Sequence, residues 1–343
     1  MSGEGQDVEV DVLIIGAGPV GLFGAYYAGA RGLSVAIVDS LSQLGGQVTA
    51  MYPEKQIYDI AALPAVSGRE LVRGLVDQAG QYDPVYLLGQ EAQDHTVIPA
   101  AEGVIRHVVA TSTGTRISCG ALIITGGIGT FTPRPLLAGE EFLGRGLEYF
   151  VPDPSAYAGQ DVVIVGGGDS AIDWCLMLEP IAATVTLVHR REQFRAHGAS
   201  VEKVRASRVT ILTNAEVTGL EGGDAIEKAL VQVKNGDAHT VACQRVVAAL
   251  GFTANLGPLR EWDLELHDNR HLVVDSAMRT NRPGIFAAGD ITDYDGKVRL
   301  IAVGFGEVAT AVNNAAVHID PDAQLFPGHS TDTPHDVPVA VPA

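Results

Sequence analysis

The chain has 343 residues, of which 46% are hydrophobic and 40 are glycine, and it carries a formal net charge of −18 at pH 7. The length suggests about two domains, and the composition is typical of a packed α/β protein rather than a disordered one. The acidic balance argues against nonspecific binding to nucleic acid or to an anionic membrane surface, because the overall field repels phosphate polyanions.

The cysteines are Cys119, Cys175 and Cys243, and they form no CxxC and no Cys/His cluster. Neither a disulfide framework nor a metal site is therefore indicated, and we interpret all three as buried thiols. The acidic N-terminus lacks the basic start of a secretory signal. The apolar run from residue 12 to residue 30 is broken by glycines and a proline, so it suits a strand, turn and helix better than a membrane span. A cytoplasmic location is the expectation.

Residues 8 to 38 predict a strand, a glycine turn, a helix and a second strand. The turn carries Gly16-x-Gly18-x-x-Gly21, and Asp39 follows 23 residues after Gly16. This is the pattern of a dinucleotide-binding unit: the glycines permit a tight turn and close approach of the pyrophosphate, and the acid accepts the ribose hydroxyls. The helix N-terminus adds partial positive charge for the phosphates.

Residues 161 to 190 repeat this design with the turn "GGGDSA", which includes Gly166, Gly168, Asp169 and Ser170. The position that corresponds to Asp39 is occupied by His189, and it is followed by Arg190 and Arg191. Guanidinium groups bind a ribose 2′-phosphate through charge-assisted hydrogen bonds, whereas a carboxylate would repel it. We therefore predict that the second site prefers NADP(H), with Arg195 returned to the same phosphate by one helical turn.

Further stretches extend the first site. The sequence "LGGQVTAMYPEK" places Gly46 and Gln47 shortly after Asp39, where the backbone can pass close to a bulky ring. The predicted strand "IFAAGD" ends at Asp290, and a helix is predicted to begin near Ile301. A strand-end aspartate can accept a ribityl hydroxyl, and a helix N-terminus aimed at a flavin would stabilise the anion formed on reduction.

Together, the paired glycine turns, "HRRxxFR" and "IFAAGD" resemble the two-dinucleotide-binding flavoproteins of the thioredoxin reductase superfamily over nearly the whole chain. Those reductases carry a redox CxxC shortly before "GGGDSA". The stretch 147–170 has no cysteine here, so disulfide exchange through that motif is excluded, because a thiolate must attack the disulfide. The phrases "MYPEKQIYDI", "FTPRPL", "GGGDSAIDW" and "FPGHST" are similar to the ferredoxin–NADP reductases built on the same scaffold, known as type 2.

This resemblance implies FAD contacts at Asp39, Gln47, Tyr52, Ala92, Phe131, Asp290, Ser330 and Thr331. It further implies that Tyr52 and His329 stack on opposite faces of the isoalloxazine. No side chain is needed as acid, base or nucleophile: NADPH would pass a hydride to flavin N5, and the flavin would release electrons singly to ferredoxin or a flavodoxin. Members of the family are dimers, so a homodimer is expected.

The expected fold class is α/β, with two Rossmann-like three-layer domains. The NADP domain, 132–282, would be inserted into a discontinuous FAD domain, 1–131 and 283–343, because Pro and Gly near 131–139 and 280–284 resemble hinges. The proline-rich tail 331–343 is predicted to be flexible. Rotation of the two domains would bring nicotinamide to flavin.

Two alternatives stay open at this stage. One is an NADPH-dependent reductase of a small disulfide or another acceptor, without a CxxC of its own. The other is a redox sensor that holds FAD and NADPH without rapid turnover. The ferredoxin hypothesis also has to explain how a chain of net charge −18 binds a partner that is usually acidic, because the two would repel at long range.

Overall fold

The computed structural model describes residues 7–99, 105–127, 129–151 and 153–329. The chain builds a first unit, crosses to a second unit and then returns to the first. The elements before the crossing are β1 (Asp7–Ile15), α1 (Pro19–Ala30), β2 (Val35–Asp39), α2 (Gly46–Met51), β3 (Gln56–Ile57), β4 (Val66–Ser67), α3 (Gly68–Ala79), β5 (Val85–Leu88), β6 (Ala92–Pro99), β7 (Ile105–Thr111) and β8 (Arg116–Ile124).

The first sheet has the order β5-β2-β1-β8-β7-β6. Its strands β5, β2, β1 and β8 are parallel, and β7 and β6 extend it in antiparallel fashion. The apolar run of β1 explains its central place, since Val12, Leu13 and Ile14 are fully buried, as expected for a strand covered on both faces. Residues of α1, α3 and α6 (Ile301–Ile319) share this core.

The second unit follows a short strand, β9 (Thr130–Pro133). Its elements are β10 (Leu147–Glu148), β11 (Asp161–Gly166), α4 (Asp169–Leu178), β12 (Thr184–His189), α5 (Gly198–Arg205), β13 (Thr210–Thr213), β14 (Ala215–Gly222), β15 (Ile226–Val233), β16 (Ala238–Ala242) and β17 (Arg245–Ala249). A parallel sheet in the order β10-β17-β11-β12-β13 lies beside an antiparallel sheet β14-β15-β16.

The two units are joined by a pair of crossing strands. Strand β9 pairs antiparallel with β18 (Phe252–Asn255), with Asn255 opposite Thr130. The two connections between the units, one in each chain direction, therefore run next to each other.

The return comes earlier than the predicted residue 283. Leu256, Trp262 and Met278 are buried in the same core as β1, not in either core of the second unit. The remaining elements are β19 (Leu266–His267), β20 (His271–Val273), β21 (Ile285–Ala287), β22 (Thr292–Asp293) and α6. Strand β21 pairs parallel with β8 and so completes the first sheet. The predicted α/β class with two Rossmann-like units is confirmed, and parallel strands form the centre of the sheet in each unit.

Candidate functional site

The first glycine turn joins β1 to α1. Gly16 has a φ of +114°, and a Cβ added there would lie 2.7 Å from the carbonyl oxygen of Thr125. A Cβ on Gly21 would overlap the carbonyl oxygen of Gly16. Both positions therefore require glycine for backbone packing. At Gly18, by contrast, no atom of the described residues apart from its chain neighbours lies within 4 Å of the Cβ position, so the turn is open on that side.

This open side coincides with the N-terminus of α1. Gly18 is its N-cap residue and supplies no side-chain hydrogen bond, and Pro19 begins the helix. The first backbone N–H groups of the helix are thus left for another acceptor, and the helix dipole favours a negative one. The arrangement suits a phosphate at Gly18.

Asp39 is the last residue of β2, as predicted. Its Oδ2 accepts a hydrogen bond from the N–H of Ala17 at 2.6 Å, and its Oδ1 accepts one from the N–H of Leu41 at 2.8 Å. Burial raises the pKa of the Asp39 carboxyl, while these two backbone donors lower it. The carboxylate is held against the glycine turn, and its remaining lone pairs can accept hydroxyl groups.

A cleft of about 1210 Å³, including its open mouth, runs along this turn. Its lining reaches from Asp39 at the end of β2 to Asp290 after β21, so the cleft suits an extended ligand. Residues predicted to contact FAD line it together: Gly16, Gly18, Asp39, Gly46, Gln47, Tyr52, Ala92 and Asp290.

Other predicted contacts are placed differently. Gly21 packs behind the turn and is absent from the lining. Phe131 lies in β9, but its side chain is outside the described part of the structure. His329 is exposed, meets the ring of Phe326 edge-on at 5.2 Å, and is absent from the cleft lining. Ser330, Thr331 and the tail 331–343 lie outside the described residues.

The cleft also contains residues that the motifs did not single out. Leu256, Pro258 and Leu259, from the chain just after β18, form part of its wall. Their sequence "LGPLR" matches no nucleotide-binding pattern, and they fall within the stretch assigned to the other domain. They reach the cleft because β18 leads the chain back to the first unit, where Leu256 and Leu259 pack in its core.

The second glycine turn joins β11 to α4 in the same way. A Cβ on Gly166 would overlap the carbonyl oxygen of Ala249 and lie 2.9 Å from the Cβ of Ala171. Gly168 is the N-cap residue of α4 and has open space at its Cβ position. Asp169 opens the helix, and its Oδ1 accepts a hydrogen bond from the N–H of His197 at 2.9 Å.

The basic segment lies next to this turn. The N–H of Arg195 donates to the carbonyl oxygen of Gly167 at 2.8 Å. The side chains of Arg190, Arg191 and Arg195 are exposed, and within the described ranges none of them forms an ion pair. Three guanidinium groups are therefore free beside an open helix N-terminus.

The predicted helical turn between Arg191 and Arg195 is wrong. Residues 190–197 are not helical: 190–193 and 196 form bends, and α5 begins only at Gly198. Arg195 is instead held next to the glycine turn by the hydrogen bond from its backbone N–H to the carbonyl oxygen of Gly167. His189 differs from the arginines as well, since it is 8% exposed and its ring stacks on Phe194 at 5.0 Å.

A smaller pocket of about 500 Å³, including its mouth, lies between the two units. Tyr52 lines both this pocket and the cleft, so it lies where the two adjoin. The Nζ of Lys55 forms an ion pair with Asp173 of α4 at 2.5 Å across the gap. The other lining residues are Met51, Tyr149, Phe150, Ser170, Trp174, Met177, Ala249 and Gly251.

Residues 10–315 match the family described as "Pyridine nucleotide-disulphide oxidoreductase". The chain belongs to this family. A protein of T. acidophilum solved as a thioredoxin reductase is 26% identical, with a TM-score of 0.73 over 92% of this chain and 99% of that one.

Curated relatives are far more similar. The protein of Salinispora arenicola named "Ferredoxin--NADP reductase" is 60% identical over 324 residues, 94% of this chain and 99% of the relative. A Frankia alni protein of the same name is 62% identical over 321 residues, 93% and 98% of the two chains. These similarities confirm the resemblance indicated by the motifs.

Within the described residues, no helix combines the length and the apolar character that crossing a membrane requires.

Proposed function

We propose that the protein is a ferredoxin–NADP reductase that uses FAD to move electrons between NADPH and ferredoxin. One observation carries the proposal: the two glycine turns are followed by opposite chemistry. Asp39 lies at the first turn, and three exposed arginines that form no ion pair with any described residue lie at the second. One chain thus offers a site for free ribose hydroxyls and a site for a 2′-phosphate.

The first site fits FAD. The open side of Gly18 would take the pyrophosphate, and Asp39 would accept the hydroxyls of the adenosine ribose. Gln47, Tyr52 and Asp290 line the same cleft and would hold the flavin end. When bound, FAD supplies a ring that accepts a hydride and releases electrons one at a time.

The second site fits NADPH. Gly168 is open where the pyrophosphate would lie, and Arg190, Arg191 and Arg195 would bind the 2′-phosphate through bidentate hydrogen bonds. The pocket between the units, bordered by Ser170 and Tyr52, would receive the nicotinamide end. The role of the side chains there is to orient that ring and exclude water.

The cysteines do not support a reductase that uses its own thiols. Cys119, Cys175 and Cys243 are all buried, as predicted, and burial raises the pKa of each to about 12. A thiol with such a pKa supplies no thiolate at neutral pH.

We also propose revised limits for the NADPH-binding unit. Residues 134–251 lie between the crossing strands, and the FAD-binding unit would comprise the chain on both sides of them. The assembly would be a homodimer in the cytoplasm. Docking of ferredoxin or a flavodoxin would then depend on local charges, because the net charge of −18 opposes an acidic partner at long range.

The test begins with the purified full-length chain. It should retain FAD, and NADPH should bleach the flavin absorbance in a stopped-flow experiment. Steady-state reduction of cytochrome c should then depend on added ferredoxin and vary with salt. Absence of bleaching would exclude both enzyme hypotheses, whereas bleaching without ferredoxin-dependent turnover would leave a reductase for another acceptor.

A further inference from the structure

A buried ion pair lies behind the flavin end of the cleft. Lys297 and Glu307 form it with side chains that are only 3% and 5% exposed. Glu307 projects from α6, and Lys297 comes from the loop before that helix. Charged residues are seldom this deeply buried, because desolvation costs several kcal/mol per ion. An apolar pair of similar volume would often be at least as stable, so stability alone does not explain the pair.

The pair holds one residue by both of its backbone polar groups. The N–H of Gly289 donates to Oε2 of Glu307 at 2.7 Å, and Nζ of Lys297 donates to the carbonyl oxygen of Gly289 at 3.0 Å. The hydroxyl of Tyr294 donates to Oε1 of Glu307 at 2.6 Å. Two apolar side chains could make none of these bonds.

Glu307 is the more specific partner of the two. The Gly289 carbonyl also accepts from the N–H and Oγ1 of Thr292, at 3.1 and 2.8 Å, so it has support without Lys297. Glu307 accepts the hydrogen bond from the N–H of Gly289. This contact requires a buried carboxylate, and Lys297 neutralises its charge. A backbone N–H left without an acceptor in a buried position costs about 1–3 kcal/mol.

Gly289 and the next residue, Asp290, line the cleft, whereas Lys297 and Glu307 do not. The Gly289–Asp290 turn therefore links the pair to a ligand bound in the cleft. Gly289 has a φ of +83°, a conformation that reverses the chain sharply and sets the direction of the following carboxylate.

We propose that Glu307 and Lys297 are positioning residues that fix the Gly289–Asp290 turn, so that Asp290 presents its carboxylate to the flavin portion of FAD. The inference rests on the proposed FAD site and adds the residues that orient the Asp290 carboxylate within it. Tyr294 completes the arrangement by bonding to Glu307.

The charges around Asp290 give the proposal a second consequence. Burial raises the pKa of the Asp290 carboxyl. The positive charges of Lys297, Arg299 and His271 lower this pKa, and the negative charge of Glu307 raises it. Tyr52 is the other titratable group that interacts with this carboxylate. Removing Lys297 should therefore raise the pKa of Asp290, and neutralising Glu307 should lower it. The pH at which FAD is released on acidification should move in opposite directions in the two variants.

The main test compares Lys297→Met with the double variant Lys297→Met/Glu307→Leu in the full-length protein. The single variant leaves a buried carboxylate unpaired, so both its melting temperature and its FAD affinity should fall. The double variant restores the charge balance but leaves the N–H of Gly289 without its acceptor. Measured without FAD, its melting temperature should therefore lie above that of the single variant and below that of wild type. Its FAD dissociation constant should stay at least about tenfold above wild type, about 1.4 kcal/mol.

The remaining variants make the test decisive. Glu307→Asp keeps the charge and shortens the reach to Gly289, so it should fold normally and bind FAD more weakly. Lys228→Met removes a lysine from an exposed ion pair with Glu221 and should leave FAD affinity unchanged. Wild-type FAD affinity in the double variant, or in Glu307→Asp if the double variant does not fold, overturns the inference; equal pH profiles for Lys297→Met and Glu307→Gln would do the same. Failure of the wild-type chain to bind FAD would instead reject the proposed function.

Discussion

The imidazole of His189 lies directly against Gly167 in the second glycine turn. A Cβ built on Gly167 would lie 2.5 Å from Nε2 of that ring and would overlap Cε1. Phe194 stacks on the ring at 5.0 Å with an interplanar angle of 21°. His189 thus contributes to the second site by packing against its turn, while the two arginines after it remain exposed.

Gly167→Ala should impair the second site and spare the first. The new methyl group has no room beside His189, and overpacking of this kind costs about 1–3 kcal/mol. The Michaelis constant for NADPH should rise about tenfold or more, with FAD content unchanged. Adding His189→Ala should restore part of the affinity. Gly74→Ala, at a helix position with open space around the Cβ, is the matched control and should have no effect.

Replacing Arg190 and Arg191 by alanine should change the coenzyme preference. Hydrogen bonds to charged groups contribute about 1.5–3 kcal/mol, so the dissociation constant for NADPH should rise about 10- to 100-fold while that for NADH changes little. Titration of flavin or protein fluorescence with each coenzyme measures this. Arg116→Ala, at an exposed position on β8, serves as control. An unchanged ratio of the two affinities would contradict the assignment of the basic segment.

Asp39→Asn should weaken FAD retention. The carboxylate accepts from the N–H groups of both Ala17 and Leu41, and an amide can accept only with its single oxygen. We expect the FAD dissociation constant to rise about tenfold, measured by ultrafiltration or fluorescence recovery. Asp11→Asn is the control, because Asp11 lies outside the cleft and its Oδ2 also accepts a hydrogen bond from a backbone N–H, that of Ser34, at 2.8 Å. If Asp11→Asn lost FAD equally, the effect would be structural.

His107 should make the stability of the fold sensitive to acid. Its side chain is 1% exposed, and burial together with the charges of His95, His318 and Arg282 lowers its pKa to about 4. Since the unfolded histidine has a pKa near 6.5, the unfolded state binds more protons between pH 6.5 and pH 4. The contribution is fully present above pH 6.5 and is lost as the pH falls to about 4, up to about 3 kcal/mol.

Urea unfolding at pH 7.5 and pH 5 measures this loss. His107→Leu should flatten the pH dependence, leaving the smaller contributions of His95 and His318, whose pKa values burial also lowers. Equal slopes in the variant and the wild type would show that another group is responsible.

Local patterns predicted both glycine turns, Asp39 and the exposed arginines, because a strand, turn and helix within about 30 residues is set by nearby sequence. The return to the first unit could not be predicted in this way. Pro283 and Gly284 resemble a hinge in the sequence, yet Trp262 and Met278 already belong to the first core, and their placement follows from long-range packing. The Glu307–Lys297 pair was missed for a different reason: the two residues are close in sequence, but no motif indicates that a glutamate in an apolar helix and a lysine in the preceding loop are buried together.

The crossing strands β9 and β18 have a practical consequence. Because Thr130 and Asn255 lie opposite each other, the segment between them is joined to the first unit at two points that lie side by side. Such a segment can be exchanged as a cassette, since both cuts fall at a single place on the surface of the host and leave its sheet intact. A chimera that receives residues 134–251 from an NADH-dependent relative would inherit the donor's coenzyme preference while keeping the flavin site of this chain.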